Sequence, residues 1–289
     1  MMTNGKITVA TALNDAVAAL SLNESIDNPR LDAEVLLCSI LDCERIFLII
    51  NKNQVLDEKQ LLLYDEYISR RAKNEPVSYI TGRREFMSLD FDVSRGILIP
   101  RPETEILVEE IIALYKDKSP VILDLCTGSG AIAVSLAYYI KHATVFAVDK
   151  YDICTKTAIQ NAKKYNVHNQ INVLNFDVLD DFDIDENFDC IVSNPPYICT
   201  EVLDSLQSDV KNYEPECALN GGQDGLIFYR KITDYAAKKL SRGGVLAFEI
   251  GYDQGESVKN IIDSTKEFNN VKTITDLAGL DRVIITEKR

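Results

Sequence analysis

The stretch Phe188-Asp-Cys-Ile-Val-Ser-Asn194-Pro195-Pro196-Tyr197 holds the residue types best placed to do chemistry. Its apolar run predicts a strand, which delivers an asparagine and two prolines at the carboxyl end, where open α/β sheets bind ligands. The prolines stiffen the loop and leave carbonyls with no adjoining N–H to compete for them. Such a loop can hold the Asn194 side-chain oxygen and the Pro195 carbonyl as two fixed acceptors. A planar –NH2 group has two donors to give them. Tyr197 offers a ring to stack on that planar group. The set suits methylation of a conjugated nitrogen, whose lone pair is tied up in a π-system. Acceptors placed off the ground-state plane favour a more tetrahedral nitrogen that can attack an electrophilic methyl. No histidine base is required, because the proton can leave after the methyl has transferred. An ordinary Asn-Pro-Pro turn is the plainer alternative, and its position after a strand argues against it.

A second constellation lies upstream. Asp124-Leu-Cys126-Thr127-Gly128-Ser129-Gly130 leaves one predicted strand and opens a predicted helix. Glycines let a ligand approach the backbone closely, and a helix start supplies free N–H donors. The next strand ends in Asp149, about twenty residues beyond the loop, the spacing at which an acid meets ribose hydroxyls. A carboxylate there accepts from a ribose diol and repels a 2′-phosphate. The spacing fits D-x-G-x-G-x-G, the S-adenosylmethionine version of the motif, with Cys126 in the first glycine slot. A thiol is tolerated in that slot if the backbone keeps φ negative. Asp124 is then expected to meet the positively charged amino-acid end of the ligand.

These residues need a scaffold, and the hydrophobic periodicity supplies one. Val9, Leu13, Ala16, Val17 and Leu20 share a helical face; Pro29 starts another helix, and Asp57 with Gln60 reads as a capping box. Several short helices of this kind must bury one another in a small bundle, read here as a docking or packing module. From Phe86 the period becomes two: Leu89, Phe91 and Val93 alternate with polar residues, Arg95-Gly96 offers a turn, and Ile97–Ile99 a second strand, ended by Pro100. Beyond Glu103, strand candidates at 121–125, 144–148, 171–174, 188–192, 245–250 and 282–286 alternate with helical segments. That alternation implies an α/β fold with a mainly parallel sheet covered on both faces.

Composition narrows the function classes. The chain has 289 residues, a net charge of −14 and 46% hydrophobic residues, which exclude a disordered tail or a fibre and suggest two domains. The negative charge argues against nucleic acid as the main partner, since neutralising phosphates needs a basic surface. No apolar run approaches a membrane span; Ile46–Ile50 is the densest. Residues 1–14 lack the pattern of a secretory signal, so a cytoplasmic protein is expected. Seven cysteines without a C-x-x-C pair read as reduced thiols, and His142 and His168 are the only histidines, so no metal site is expected. A dehydrogenase or non-catalytic nucleotide-binding module is disfavoured by the lack of a His or Tyr-x-x-x-Lys proton relay beside the glycine loop.

Asn194-Pro-Pro-Tyr197 with the glycine loop resembles the amino-group class of S-adenosylmethionine-dependent methyltransferases. The wider pattern is similar to the HemK/PrmC family of release-factor glutamine N5-methyltransferases. The likeness runs through Glu75–Gly82, Leu98-Ile-Pro-Arg-Pro-Glu-Thr-Glu105, Glu214-Pro215, Asn220–Leu226, Glu249–Gly255 and Asp276–Gly279 with Asp281–Val283, and so spans about three-quarters of the chain. The resemblance implies a helical N-terminal domain (1–84), a β-hairpin linker (85–100) and a Rossmann-like seven-stranded methyltransferase domain (101–289). It also implies S-adenosylmethionine as cofactor, and as substrate the glutamine of the Gly-Gly-Gln motif in class I peptide chain release factors. Residues 126–130 would cradle the cofactor, Asp149 would hold its ribose and Asp177-Val178 would meet its adenine, with Val178 stacking more weakly than an aromatic. Asn194, Pro195 and Pro196 would grip the substrate amide with Tyr197 against it, and Arg101, Glu103 and Thr104 would lie near the methyl donor. An N6-adenine methyltransferase acting on DNA or RNA shares the tetrapeptide and is the alternative. Gly221-Gly222-Gln223 spells the substrate motif within the chain itself and reads as a polar turn.

Overall fold

The computed structural model describes residues 6–289. The first five residues of the expected helical domain lie outside the described residues. Two compact units emerge, one running to Gly82 together with Gln207–Tyr213, the other comprising Arg83–Leu206 and Glu214–Arg289.

The first unit is helical: α1 (Val9–Leu20), α2 (Pro29–Leu41), α3 (Arg45–Ile50), α4 (Glu58–Arg71) and α5 (Val77–Thr81). Three of its starts, those of α1, α2 and α4, are set by side chains that satisfy free N–H groups. The Asn28 side chain accepts from Leu31 N at 3.0 Å, and Pro29 occupies the first helical position. The expected capping box is present, with Gln60 N donating to Asp57 Oδ1 at 2.8 Å and Asp57 N to Gln60 Oε1 at 2.9 Å. Leu13, Leu20, Leu36, Leu37 and Tyr64 fill the core, and the Tyr64 hydroxyl donates to the Ala33 carbonyl.

The second unit begins with an antiparallel hairpin, β1 (Arg83–Phe86) and β2 (Leu89–Asp92). The sequence placed a turn at Arg95-Gly96 and the second strand at Ile97–Ile99; the turn is present, with Ile97 N donating to the Ser94 carbonyl at 3.2 Å, but no strand follows it, and the hairpin closes at Met87-Ser88, both with positive φ (51° and 57°). A two-residue turn of that hand matches the strand twist. The other edge of β2 is already occupied, because Asp92 N donates to Asn161 Oδ1 (2.9 Å) and Asp90 N to the Tyr165 hydroxyl (2.5 Å). Ile97 and Ile99 are buried without joining a ladder.

After α6 (Thr104–Tyr115) the alternation follows: β3 (Val121–Leu125), α7 (Ala131–Tyr139), β4 (Thr144–Asp149), α8 (Asp152–Lys164), β5 (Ile171–Asn175) and β6 (Phe188–Ser193). The chain then contributes α9 (Ser208–Tyr213) to the first unit, a long-range association that falls inside the segment expected to be methyltransferase domain. It returns as α10 (Ile227–Lys239), β7 (Leu240–Glu249), α11 (Gly255–Thr265), β8 (Phe268–Thr275) and β9 (Asp281–Lys288). The seven-stranded sheet has the order β5-β4-β3-β6-β7-β9-β8, parallel through β7, with β9 antiparallel to β7 and to β8. It is Rossmann-like, and buried apolar clusters cover both faces. Strand β8 had no signal in the sequence. It is an edge strand in which only Phe268 is fully buried, so no apolar run marks it.

Neighbours on either side of β3 are β4 and β6, which makes the carboxyl end of β3 the switch point where ligands bind in such sheets. The wholly buried Asn161 of α8 braces that end. Its Nδ2 donates to the carbonyls of Asp92 (3.1 Å) and Ser129 (2.9 Å), joining hairpin and glycine loop. Asn161→Ala leaves these groups without partners and is expected to lower stability by about 2–3 kcal/mol. Urea unfolding should show a reduced midpoint at unchanged slope, and an unaltered midpoint would refute the brace.

Candidate active site

Three strand ends converge on one cavity of about 350 Å³. At the end of β3, Cys126, Gly128 and Gly130 all take positive φ (63°, 57° and 80°) before α7 begins. The condition set for a thiol in this slot, a negative φ, is therefore not met at Cys126. A side chain in the left-handed region costs roughly 1 kcal/mol, and the loop is held there by its neighbours. Thr127 N donates to the Val148 carbonyl (3.0 Å), and the Thr127 hydroxyl to Asp124 Oδ2 (2.6 Å). Gly128 N donates to Asp149 Oδ2 (2.9 Å), while Asp149 Oδ1 accepts from Tyr151 N (3.0 Å).

Asp124 is fully buried beneath the loop, and burial pushes its pKa up to about 7 against the pull of the Thr127 hydroxyl and the Ala133 N–H. Burial also raises Asp149, opposed by the Tyr151 and Gly128 N–H groups. The Cys154 thiol and the Lys150 N–H also donate to this carboxylate. At Asp177 burial would raise the pKa, but the Lys150 ammonium, 2.7 Å away, and the Leu179 N–H outweigh it and hold the group below the usual carboxylate range. The Cys126 thiol is driven well above its ordinary range by burial, reinforced by the nearby Asp149 and Asp124.

The third strand end is β6. The Ser193 hydroxyl donates to the Leu125 carbonyl at 2.6 Å, fastening β6 to β3 where both loops leave the sheet. Asn194 is half-buried, and Pro195 and Pro196 are buried. Asn194 Nδ2 donates to Thr104 Oγ1 at 3.2 Å; the Thr104 hydroxyl donates to Glu249 Oε2 at 2.5 Å; the Tyr197 hydroxyl reaches Glu249 Oε1 at 3.4 Å. Gln254 Nε2 holds the Tyr197 carbonyl at 2.9 Å. Gly221 packs so closely that a Cβ there would lie 2.8 Å from both the Pro196 oxygen and the Tyr197 Cα. The Gly221-Gly222 turn thus serves as a backing for the Asn-Pro-Pro-Tyr loop, and Gln223 is exposed.

Of the residues singled out from sequence, Cys126, Thr127, Gly128, Ser129, Asp149, Asp177, Val178, Asn194 and Pro196 line the cavity. Asp124, Gly130, Pro195 and Tyr197 do not. The Tyr197 ring packs on the apolar cluster beneath the loop, which differs from the expected position against a substrate. Thr104 joins the cavity wall, and Arg101 is fixed by an ion pair with the buried Glu214 at 2.6 Å. Glu249 and Gln254 were not singled out for a role. A carboxylate ending an apolar strand, the signal that marked Asp149, also marks Glu249.

Position 130 tolerates no side chain: a Cβ there would stand 2.9 Å from the Ala158 Cβ and 3.0 Å from its Cα. Gly130→Ala is expected to cost about 2–3 kcal/mol through this clash and the left-handed backbone. Cys126→Gly, which relieves the same backbone conformation, should change stability by no more than about 1 kcal/mol. Denaturant midpoints check the contrast; equal losses in both variants would contradict it.

Comparison with known proteins agrees with this architecture. Residues 11–82 match the PrmC N-terminal domain family, and residues 102–207 the methyltransferase small domain family. The release factor glutamine methyltransferase of Clostridium acetobutylicum is 42% identical over 256 residues, covering 88% of this chain and 90% of that protein. That of Moorella thermoacetica is 39% identical over 284 residues, covering 98% and 99%. Among solved structures, a methyltransferase from Pyrococcus furiosus shares the fold with a TM-score of 0.52 at 19% identity, covering 78% of this chain and 98% of that one. With such identity along nearly its whole length, the chain belongs to the release factor glutamine methyltransferase family.

Proposed function

We propose that this protein transfers a methyl group from S-adenosylmethionine to the side-chain amide nitrogen (N5) of the glutamine in the Gly-Gly-Gln motif of class I peptide chain release factors. The observation that carries the reading is the Asn194 carboxamide, with its nitrogen bonded inward to Thr104, on the wall of the same cavity as the glycine loop and Asp149. The chemistry of the cavity fits the cofactor. Asp149 suits a ribose diol, Val178 and Leu179 offer an apolar face for a purine, and the acids Asp149 and Asp177 favour a cationic ligand over a phosphorylated one. When bound, S-adenosylmethionine supplies a methyl carbon activated by its positively charged sulfur.

In this reading Asn194 Oδ1 and the Pro195 carbonyl accept the two hydrogens of the substrate amide. They draw them out of the ground-state plane, so that the nitrogen lone pair is freed from conjugation and aims at the methyl. The amide nitrogen would take the methyl while sulfur kept the bonding pair, and its surplus proton would pass to water. The fixed backbone around the loop means that no reorganisation is needed during the step. The helical first unit is assigned to docking of the protein substrate, and the cytoplasm to its place of action; among the described residues no helix is long and apolar enough to cross a membrane. N6-adenine methylation is not favoured: relatives covering about nine-tenths of the chain are named for release-factor glutamine, and the net charge of −14 opposes a nucleic-acid surface.

Labelled S-adenosylmethionine is expected to mark purified class I release factor and not its Gly-Gly-Gln variant lacking the glutamine. Label in duplex DNA or RNA alone would overturn the reading. Asn194→Ala should lower kcat by about 100-fold or more, the scale of losing one oriented polar group, with cofactor affinity retained. Asp149→Ala should weaken cofactor binding in calorimetry by tenfold or so, about 1.4 kcal/mol; unchanged affinity would remove its ribose role.

A further inference from the structure

We infer that Thr104 and Glu249 are positioning residues that dictate which end of the Asn194 carboxamide faces the cavity. A carboxamide turned by half a circle exchanges its oxygen for its –NH2 in nearly the same volume. Only one of the two orientations can receive a substrate amide; the other sets donors against donors. The loop prolines fix where Asn194 sits but have no means of choosing between them. A hydrogen-bonded chain makes the choice.

Glu249 is 2% exposed and ends β7, facing Thr104 at the start of α6. An ionised carboxylate only accepts. Its Oε2 takes the Thr104 hydroxyl proton at 2.5 Å, and its Oε1 faces the Tyr197 hydroxyl. A hydroxyl has one proton, so Thr104 Oγ1, having donated to Glu249, can only accept toward Asn194. The partner it accepts from is Asn194 Nδ2, at 3.2 Å. Asn194 Oδ1 is thereby kept free of this chain, on a residue that lines the cavity. Polarity passes from a buried charge through one hydroxyl to the group that meets the substrate.

The relay reverses if Glu249 takes up a proton. An O–H on Glu249 would donate to Thr104, turn the Thr104 proton toward Asn194, and favour the carboxamide with its oxygen inward. The groups around Glu249 place that transition in an accessible range. Burial raises its pKa to about 7; Thr104, the Arg282 guanidinium and Tyr197 oppose the rise, and Glu103 adds to it. Tyr229 bonds the Glu249 main-chain carbonyl, and Arg101 and Arg282 face Tyr197. Since the ionised form is the productive one, turnover should fall as pH drops through this pKa.

The inference rests on the proposed release-factor reaction, and the test uses the full-length protein, release factor and labelled S-adenosylmethionine. Thr104→Val keeps the shape and removes the hydroxyl. It should reduce kcat by roughly 30-fold, the scale of losing an oriented polar contact, with cofactor Kd and release-factor KM moved less than about threefold. Thr104→Ser should recover most of that loss. The wild-type kcat/KM should rise with pH through a step near 7 that is absent from Glu249→Gln. Full turnover in Thr104→Val, failure of Thr104→Ser to recover it, or an unchanged pH step in Glu249→Gln would each overturn the assignment. Should Thr104→Val lose its cofactor binding and its thermal transition, the pH step alone decides. A wild-type protein that methylates no release factor would sink the substrate reading and this inference with it. A wild type that works beside variants that work equally well would sink the inference alone.

Discussion

The ends of three adjacent parallel strands have to stay aligned, because each provides a different part of one cavity. β3 leads into the glycine loop, β4 ends in Asp149 and β6 leads into Asn194. Ladder hydrogen bonds stop where the strands stop, so alignment beyond that point depends on side chains. The Ser193 hydroxyl on the Leu125 carbonyl and Asp149 on the Gly128 N–H extend the sheet by one further layer. The remaining arrangement depends on this layer. With it in place, a short loop can be left-handed at three positions, and an asparagine can stand beside a glycine loop contributed by a strand far away in sequence.

Much of this was legible because it is local. A strand, a glycine-rich turn and a helix are contiguous, as are a strand, an asparagine and two prolines, and the acid at the end of β4 sits at a fixed chain distance from the loop. The caps of α2 and α4 are equally local: Asn28, Pro29, Asp57 and Gln60 act within a few residues of themselves. What escaped was set by partners distant in sequence. The hairpin closed upstream because α8 side chains took the edge that Ile97–Ile99 would have needed. β8 carries too little buried surface to leave a pattern. Tyr197 turned inward because Glu249 and Gln254, both from the far end of the chain, offered its hydroxyl and carbonyl partners.

Buried acids give the second unit a consistent electrostatic character. Asp124, Asp149 and Glu249 are all held in places where burial favours their neutral forms, and each is drawn back toward ionisation by N–H, hydroxyl or guanidinium neighbours. Such groups are costly for stability taken alone. Here they fix loops by accepting hydrogen bonds, and one of the three, Asp149, stands in the cavity wall itself. The first unit contains a comparable device used differently: Arg71 is paired with Asp32 at 2.7 Å, joining α4 to α2, and Arg70 with Glu75 at 2.9 Å, joining α4 to the loop that follows it.

Three of the seven cysteines, Cys126, Cys154 and Cys217, lie in the cavity wall, and the thiols of Cys126 and Cys154 are shifted far upward by burial and by the neighbouring Asp149. Alkylating agents and peroxides react with the thiolate. Burial disfavours the thiolate at both of these sulfurs, so the alkyl donor proposed for this pocket faces two muted nucleophiles. On the proposed function, self-alkylation by the methyl donor is thereby disfavoured at Cys126 and Cys154.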